Sequence, residues 1–172
     1  MKKQRLVLGL GLNDLDELTY EVNGDSRRYK KHYTLWKYLL DTVKMRGYTI
    51  CEEWKKLSNF KNWLNNQGDI TGKSISCTVL GSHHWSPETT IFVNSKLIQF
   101  FTTKLKDSKN EQGKYPAFIS DPFSGKYLFL GAFLTADEAR SKWKIKKHEI
   151  ALQLAKLETD PVIIDVLKTR YL

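Results

Sequence analysis

The segment TADEARSKWKIKKHEIALQLAKLE, residues 135–158, constrains this chain more than any other. Thr135 and Glu138 have the spacing of a capping box, and Asp137 and Glu138 suit the positive end of a helix dipole. Behind them Ala139, Trp143, Ile150, Leu154 and Leu157 recur at helical steps. The spacing predicts a long amphipathic helix with one apolar stripe to cover. Immediately before it, YPAFIS (115–120) and KYLFLGAF (126–133) are β-rich runs joined by DPFSG, where Asp121, Pro122 and Gly125 are turn residues. After it, Asp160 and Pro161 read as the cap and first position of a short final helix. The C-terminal third is therefore expected to be a small antiparallel sheet backed by a long helix.

The preceding residues alternate in the same way. RLVLGLGL (5–12) reads as a first strand, closed by a turn at NDLD (13–16). YEVNGDSRRY (20–29) reads as a hairpin turning at Asn23-Gly24. Residues 29–47 read as a helix, with Tyr33, Trp36, Leu39, Leu40 and Val43 inward, Lys30, Lys31, Lys37 and Lys44 outward, and Gly47 as C-cap. YTICEEW reads as a short strand. SNFKNWLNNQG reads as a second helix capped by Ser58 or Asn59, with Phe60, Trp63 and Leu64 inward. KSISCTVL and TTIFV are expected to pair as strands around GSHHWSPE, where Pro87 stiffens the loop and Ser86 bonds a nearby backbone amide. SKLIQFFTTKLK (95–106) reads as a helix with Leu97, Phe100, Phe101 and Leu105 on one side. KDSKNEQGK (106–114) is polar and ends in glycine and lysine, and reads as a linker between regions 1–105 and 115–172. The fold class is α+β.

The 172 residues carry a formal net charge of +9. A surplus of that size favours polyanionic partners, nucleic acid first. Arg27, Arg28, Lys30, Lys31 and His32 form a basic cluster interleaved with Tyr29 and Tyr33, rings able to stack on bases. Cys51 and Cys77 have no zinc spacing and read as reduced thiols. No apolar run approaches the ~18–20 residues that a spanning helix needs, and the basic start, ended by Asn13 and Asp14, reads as neither signal peptide nor anchor.

Five pieces in order resemble a known family: GLGLND, YTLWKYLL, TICEEWKKLSNFKNWL, WSPETTIFV and KYPAFIS…KYLFLGAFLTADEARSKW. Together they resemble phage proteins related to HNH homing endonucleases that carry a C-terminal APETALA-type DNA-binding module. The resemblance implies a ββα-metal hairpin-helix, with a Leu-Asp-Lys-Asp strand and a helix Asn as metal ligands. Those positions fall on Lys73, Ser74, Ile75 and Ser76, and on Ile98 or Gln99. A hydroxyl is a poor ligand for a hard divalent cation and brings no neutralising charge. The expectation is a degenerate HNH-like centre with no catalytic residue, no metal ligand and no cofactor, so not an enzyme. His83 and His84 sit in the loop, away from the ligand positions.

The resemblance also implies DNA contact by sheet side chains facing away from the backing helix. Only the six residues 121–126 stand where the family has a further basic strand, so a sheet of about two strands is expected. The DNA-binding residues expected on these grounds are Arg27, Arg28, Lys30, Lys114, Ser120, Lys126 and Tyr127, with Phe118 on the same face. Arg140, Lys142, Lys144, Lys146 and Lys147 read as the solvated side of the long helix. The function expected is double-stranded DNA binding without cleavage, in the cytoplasm of a bacterial host, with no membrane role. The alternative is a protein-binding inhibitor on the same scaffold, using Phe123, Leu128 and Phe129 as its apolar surface.

Overall fold

The computed structural model of the chain describes residues 6–15, 17–23 and 26–172. Five α-helices and small, mostly antiparallel sheets are found among them, so the chain is α+β. The chain divides into two compact units, residues 1–94 and 95–172. The 106–114 segment lies inside the second unit. No helix of the described residues is long and apolar enough to cross a membrane.

The first unit opens on β1 (Tyr20–Asn23) and β2 (Ser26–Tyr29), an antiparallel ribbon closing at Asn23↔Ser26. Gly24, of the expected Asn23-Gly24 turn, and Asp25 lie outside the described residues. Helix α1 (Lys31–Arg46) ends at Gly47, whose φ of 70° is the left-handed conformation of a glycine C-cap. Then come β3 (Thr49–Ile50), a 3-10 turn (Glu53–Lys55), α2 (Leu57–Asn65), β4 (Lys73–Ser76), a second 3-10 turn (Thr78–Leu80), β5 (His84–Trp85) and β6 (Ile91–Asn94). β4 pairs antiparallel with β6, as expected, but the loop between them holds a strand of its own. β5 pairs in parallel with β3, His84 opposite Thr49 and Trp85 opposite Ile50.

Aromatic burial holds this unit together. Trp36, Trp54, Trp85, Phe60, Leu39, Leu40 and Leu57 are its largest fully buried side chains. A buried indole needs a partner for its N–H. Trp36 Nε1 donates to the Trp54 carbonyl at 2.7 Å, and Trp85 Nε1 donates to Thr42 Oγ1 at 2.7 Å. Cys77 is fully buried, and burial pushes its thiol up to about 11.

The expected strand over residues 5–12 is absent from residues 6–12, and Arg5 lies outside the described residues. The chain folds back instead: Val7 N donates to Gly11 O at 2.7 Å and Leu10 N to Val7 O at 3.0 Å. Leu12 alone bridges to Lys56. The reversal seats Gly11 on α1, where an added Cβ would lie 2.5 Å from Leu40 and 2.5 Å from Trp36. Of the NDLD turn, Asn13 Oδ1 accepts from Leu15 N at 3.2 Å, while Asp16 is outside the described residues. Neither Ser58 nor Asn59 caps α2. Lys56 stands at that position, and Asp14 reaches in from 44 residues away to accept from Ser58 N at 2.9 Å and Ser58 Oγ at 2.6 Å. Burial works against ionisation of Asp14, but these bonds outweigh it and hold the carboxyl below its ordinary value.

The second unit contains α3 (Ser95–Thr102), β7 (Tyr115–Ser120), β8 (Tyr127–Phe133), α4 (Ala136–Ala155) and α5 (Pro161–Thr169). α3 stops at Thr102, so Leu105 lies beyond it. The 106–114 segment is a structured turn: Asn110 accepts from Gln112 N and Lys114 N, and Asp107 pairs with Arg140 at 2.7 Å. The capping box of α4 is formed, and Asp160 caps α5 with Pro161 at its first position. Leu157 lies past the end of α4 and is exposed.

α4 packs on both strands of the two-stranded sheet. The register runs Ser120↔Tyr127, Ile119↔Leu128, Phe118↔Phe129, then shifts to Ala117↔Gly131, leaving Leu130 without a partner. That bulge changes the alternation along β8. Tyr127 and Phe129 share the face of Ser120 and Phe118, whereas Phe133 falls opposite Tyr115, on the side of Ala117 and Ile119.

Lys147 contradicts its expected place on the wet side of α4: it is only 1% exposed. Its position, four residues after Trp143 and three before Ile150, is on the apolar stripe, and that spacing is the signal that reveals it. The ammonium donates to Phe100 O at 2.5 Å and Thr103 O at 2.9 Å. These are carbonyls at the C-terminal end of α3, which carries partial negative charge. The rings of Phe100, Trp143 and Tyr171 lie 4.5, 4.6 and 5.4 Å from the nitrogen. Burial, with Arg170 nearby, pushes the Lys147 pKa down to about 8.

Two outcomes follow. Gly11→Ala destabilises the protein by about 1–3 kcal/mol through overpacking, read as a lower urea midpoint at unchanged slope. For Lys147, the folded pKa lies below the unfolded one, so the buried charge opposes folding fully below about pH 8. The stability of the wild type relative to Lys147→Met therefore rises between pH ~8 and ~10.4, by on the order of 3 kcal/mol. Denaturant unfolding across that range checks the sign; a difference that falls would contradict it.

Candidate nucleic-acid interface

The β1–β2 ribbon carries the first set of expected contacts. β2 is exposed along its length, so Arg27 and Arg28 both meet solvent. They stand opposite Val22 and Glu21 and, as neighbours in a strand, point to opposite faces of the ribbon. The Arg27 guanidinium lies 5.0 Å from the centre of the Tyr20 ring, which holds it at the surface. A two-stranded ribbon is a shape that the major groove of B-form DNA admits.

Lys30 is placed otherwise. Its ammonium pairs with Glu17 at 3.2 Å, and Lys61 binds the same carboxylate. Hydrogen bonds from Lys61 and Lys30 hold the Glu17 carboxyl down at about 2. An exposed pair of this kind adds little stability, but it partly neutralises Lys30 as a phosphate contact. Tyr29 and Tyr33 are stacked on one another, ring centres 5.2 Å apart, beside a hollow of about 280 Å³ also lined by Lys37 and Tyr38. Tyr29 remains 55% exposed.

The second set lies on the β7–β8 sheet. Tyr127 is 73% exposed and Ser120, its cross-strand partner, is half-buried. Lys126 and Lys114 are exposed at opposite ends of the hairpin, next to the first residues of β8 and β7. No carboxylate pairs with either ammonium among the described residues. Phe118 and Phe129 share the face, ring centres 5.0 Å apart, at 49% and 59% exposure. Ser120 and Tyr127 also line a cavity of about 430 Å³ whose other polar walls include Lys96, Gln99, Ser124 and Lys147. Its one carboxylate, Asp121, is engaged within the turn by Ser124 Oγ at 2.6 Å and Phe123 N at 3.0 Å. On α4, Arg140 is tied to Asp107 and Asp137, and Lys146 to Glu149.

The positions assigned to a divalent metal by resemblance do not suit one. Ser76 is buried, and its hydroxyl bonds Thr78 Oγ1 at 3.1 Å and accepts from Val79 N at 3.3 Å. Ser74 is on β4 beside Val93, and Ile98 and Gln99 bring no carboxylate. Among the described residues no three His, Cys, Asp or Glu side chains gather as a metal-binding group. The two histidines separate: His84 Nδ1 bonds Thr49 Oγ1 at 2.7 Å, and the His83 ring meets Tyr48 edge-on at 5.0 Å. Ser86 also differs from expectation. Its hydroxyl donates to Glu88 Oε2 at 2.6 Å, and it is the Ser86 amide that bonds the Thr89 hydroxyl at 3.1 Å. The SPET turn is closed by its own side chains.

Comparison of the chain with protein-family models, with curated proteins and with solved structures found no match.

Proposed function

We propose that this chain binds double-stranded DNA without cutting it, as a nuclease-inactive relative of HNH homing endonucleases from a phage or mobile element. Its role would be regulatory, or to occupy a site that a relative cleaves. The observation that carries the reading is the β1–β2 ribbon, exposed throughout β2 and bearing Arg27 and Arg28. Arginine suits phosphate and guanine edges through its planar fork. Lys114 and Lys126, with no carboxylate partner among the described residues, add phosphate contacts, with Ser120 and Tyr127 between them. The Ser74 and Ser76 hydroxyls, in place of carboxylates, support the loss of cutting. A second reading, a protein that blocks a host or competitor macromolecule, is favoured by one observation. Phe118, Phe123, Leu128 and Phe129 are all exposed, and exposed apolar side chains of this size suit a protein contact.

Duplex binding of this kind releases counterions. With about six phosphate contacts, affinity falls roughly a thousandfold between about 50 and 200 mM salt. The double change Arg27→Ala, Arg28→Ala lowers the slope of log affinity against log salt by about two. Mobility shifts on a duplex at several salt concentrations measure both. Plasmid incubated with the protein in Mg²⁺ or Mn²⁺ stays supercoiled. No duplex shift at micromolar protein, together with a stoichiometric protein partner from nuclease-treated lysate, would move the conclusion to the second reading.

A further inference from the structure

We propose that the exposed face of β7 and β8 is a stacking platform for the unpaired bases of a single-stranded nucleic acid. The inference rests on the nucleic-acid reading above and names a second form of ligand for it, held by the rings of the β7–β8 face.

The face is built by the register. Phe118, Ser120, Tyr127 and Phe129 point away from α4, with Pro116 and Ala132 completing the row. No leucine, isoleucine or valine is among the paired residues of this row, and its exposed apolar side chains are aromatic. The two phenylalanines form a tilted pair at 5.0 Å, and Tyr127 follows at the turn end. A phenylalanine has no atom with which to read a base edge. It offers only a ring face, and the complementary surface is the face of a base.

Those ring faces match nothing that a duplex presents. Duplex grooves present base edges and phosphates, while base faces are hidden in the stack. Unpaired bases present their faces, and aromatic stacking with flanking cations is the general mode of single-strand binding. The charges here are placed for it. Lys114 stands at one end of the row and Lys126 at the other, each exposed and with no carboxylate partner among the described residues. A six-residue strand spans roughly 20 Å, enough for a run of a few nucleotides between the two ammonium groups. At the Tyr127 end the row adjoins the cavity of about 430 Å³, which Lys96 also lines. A protein partner fits the apolar area but leaves the two terminal lysines unexplained.

The test separates ring stacking from greasy contact. The variant Phe118→Leu, Phe129→Leu keeps apolar area on an exposed face and removes both rings. Fluorescence anisotropy of the full chain is measured with labelled dT20, rU20 and a 20-base-pair duplex, with circular dichroism confirming the fold of each variant. The expected result is binding of dT20, rU20 or both, weakened at least about tenfold by the double leucine change, a larger loss than the duplex shows. Arg27→Ala, Arg28→Ala has the opposite pattern, so failure of the duplex reading and failure of this one are told apart. A preference between dT20 and rU20 tells which strand chemistry is held. No single-strand binding, or single-strand binding indifferent to the leucine changes, overturns the proposal. So does a protein partner that the leucine variant still captures while it and the wild type ignore both oligonucleotides.

Discussion

The ammonium of Lys147 joins three elements of the second unit at one point. It takes up two carbonyls at the end of α3, projects from the middle of α4, and lies under the Tyr171 ring just beyond α5. A buried charge is costly unless its donors are satisfied. Here a helix end that needs donors meets a cation that needs acceptors, and three rings supply the rest of its surroundings. With the helices fixed in this way, α4 closes one face of the β7–β8 sheet. The other face is left to solvent with its rings uncovered, and the functional argument begins from that asymmetry.

The charge surplus is distributed less evenly than its total suggests. Glu17 draws in Lys30 and Lys61, and Arg140 and Lys146 are held by neighbouring carboxylates. The arginines of β2 and the lysines bracketing β7 and β8 stand on two-stranded ribbons. Long, flexible side chains on a narrow ribbon reach a polyanion from several directions. The β4–β6 hairpin shows the reverse economy. It keeps its antiparallel register, and Ser76, Ser86, Glu88 and Thr89 bond within the hairpin or its turn.

Local signals were legible in the residues. The capping box at Thr135 and Glu138, the Asp160-Pro161 start of α5 and the Gly47 end of α1 depend on neighbours a few positions away, and the structure contains all three. The two-stranded C-terminal sheet was legible for the same reason. What could not be read is what distant residues supply. Asp14 completes a helix start 44 positions along the chain, so no local pattern marks it. β5 exists only because β3 lies alongside it. The N-terminal apolar run has strand composition, but its glycines let it turn back on itself, and burial against Trp36 and Leu40 rewards that compact path. At the candidate interface, exposure of Arg27, Arg28, Lys126 and Tyr127 followed from position, whereas the capture of Lys30 depended on Glu17, thirteen residues earlier.

The unpartnered Leu130 has an evolutionary corollary. Because it faces no residue on β7, losing its codon would leave every other residue of the hairpin opposite its present neighbour. An insertion elsewhere in β8 that the bulge did not absorb would exchange inward and outward side chains from that point on. The strand is thus tolerant of length change at one position and sensitive at the rest, and lineages of this protein would be expected to record their indels there.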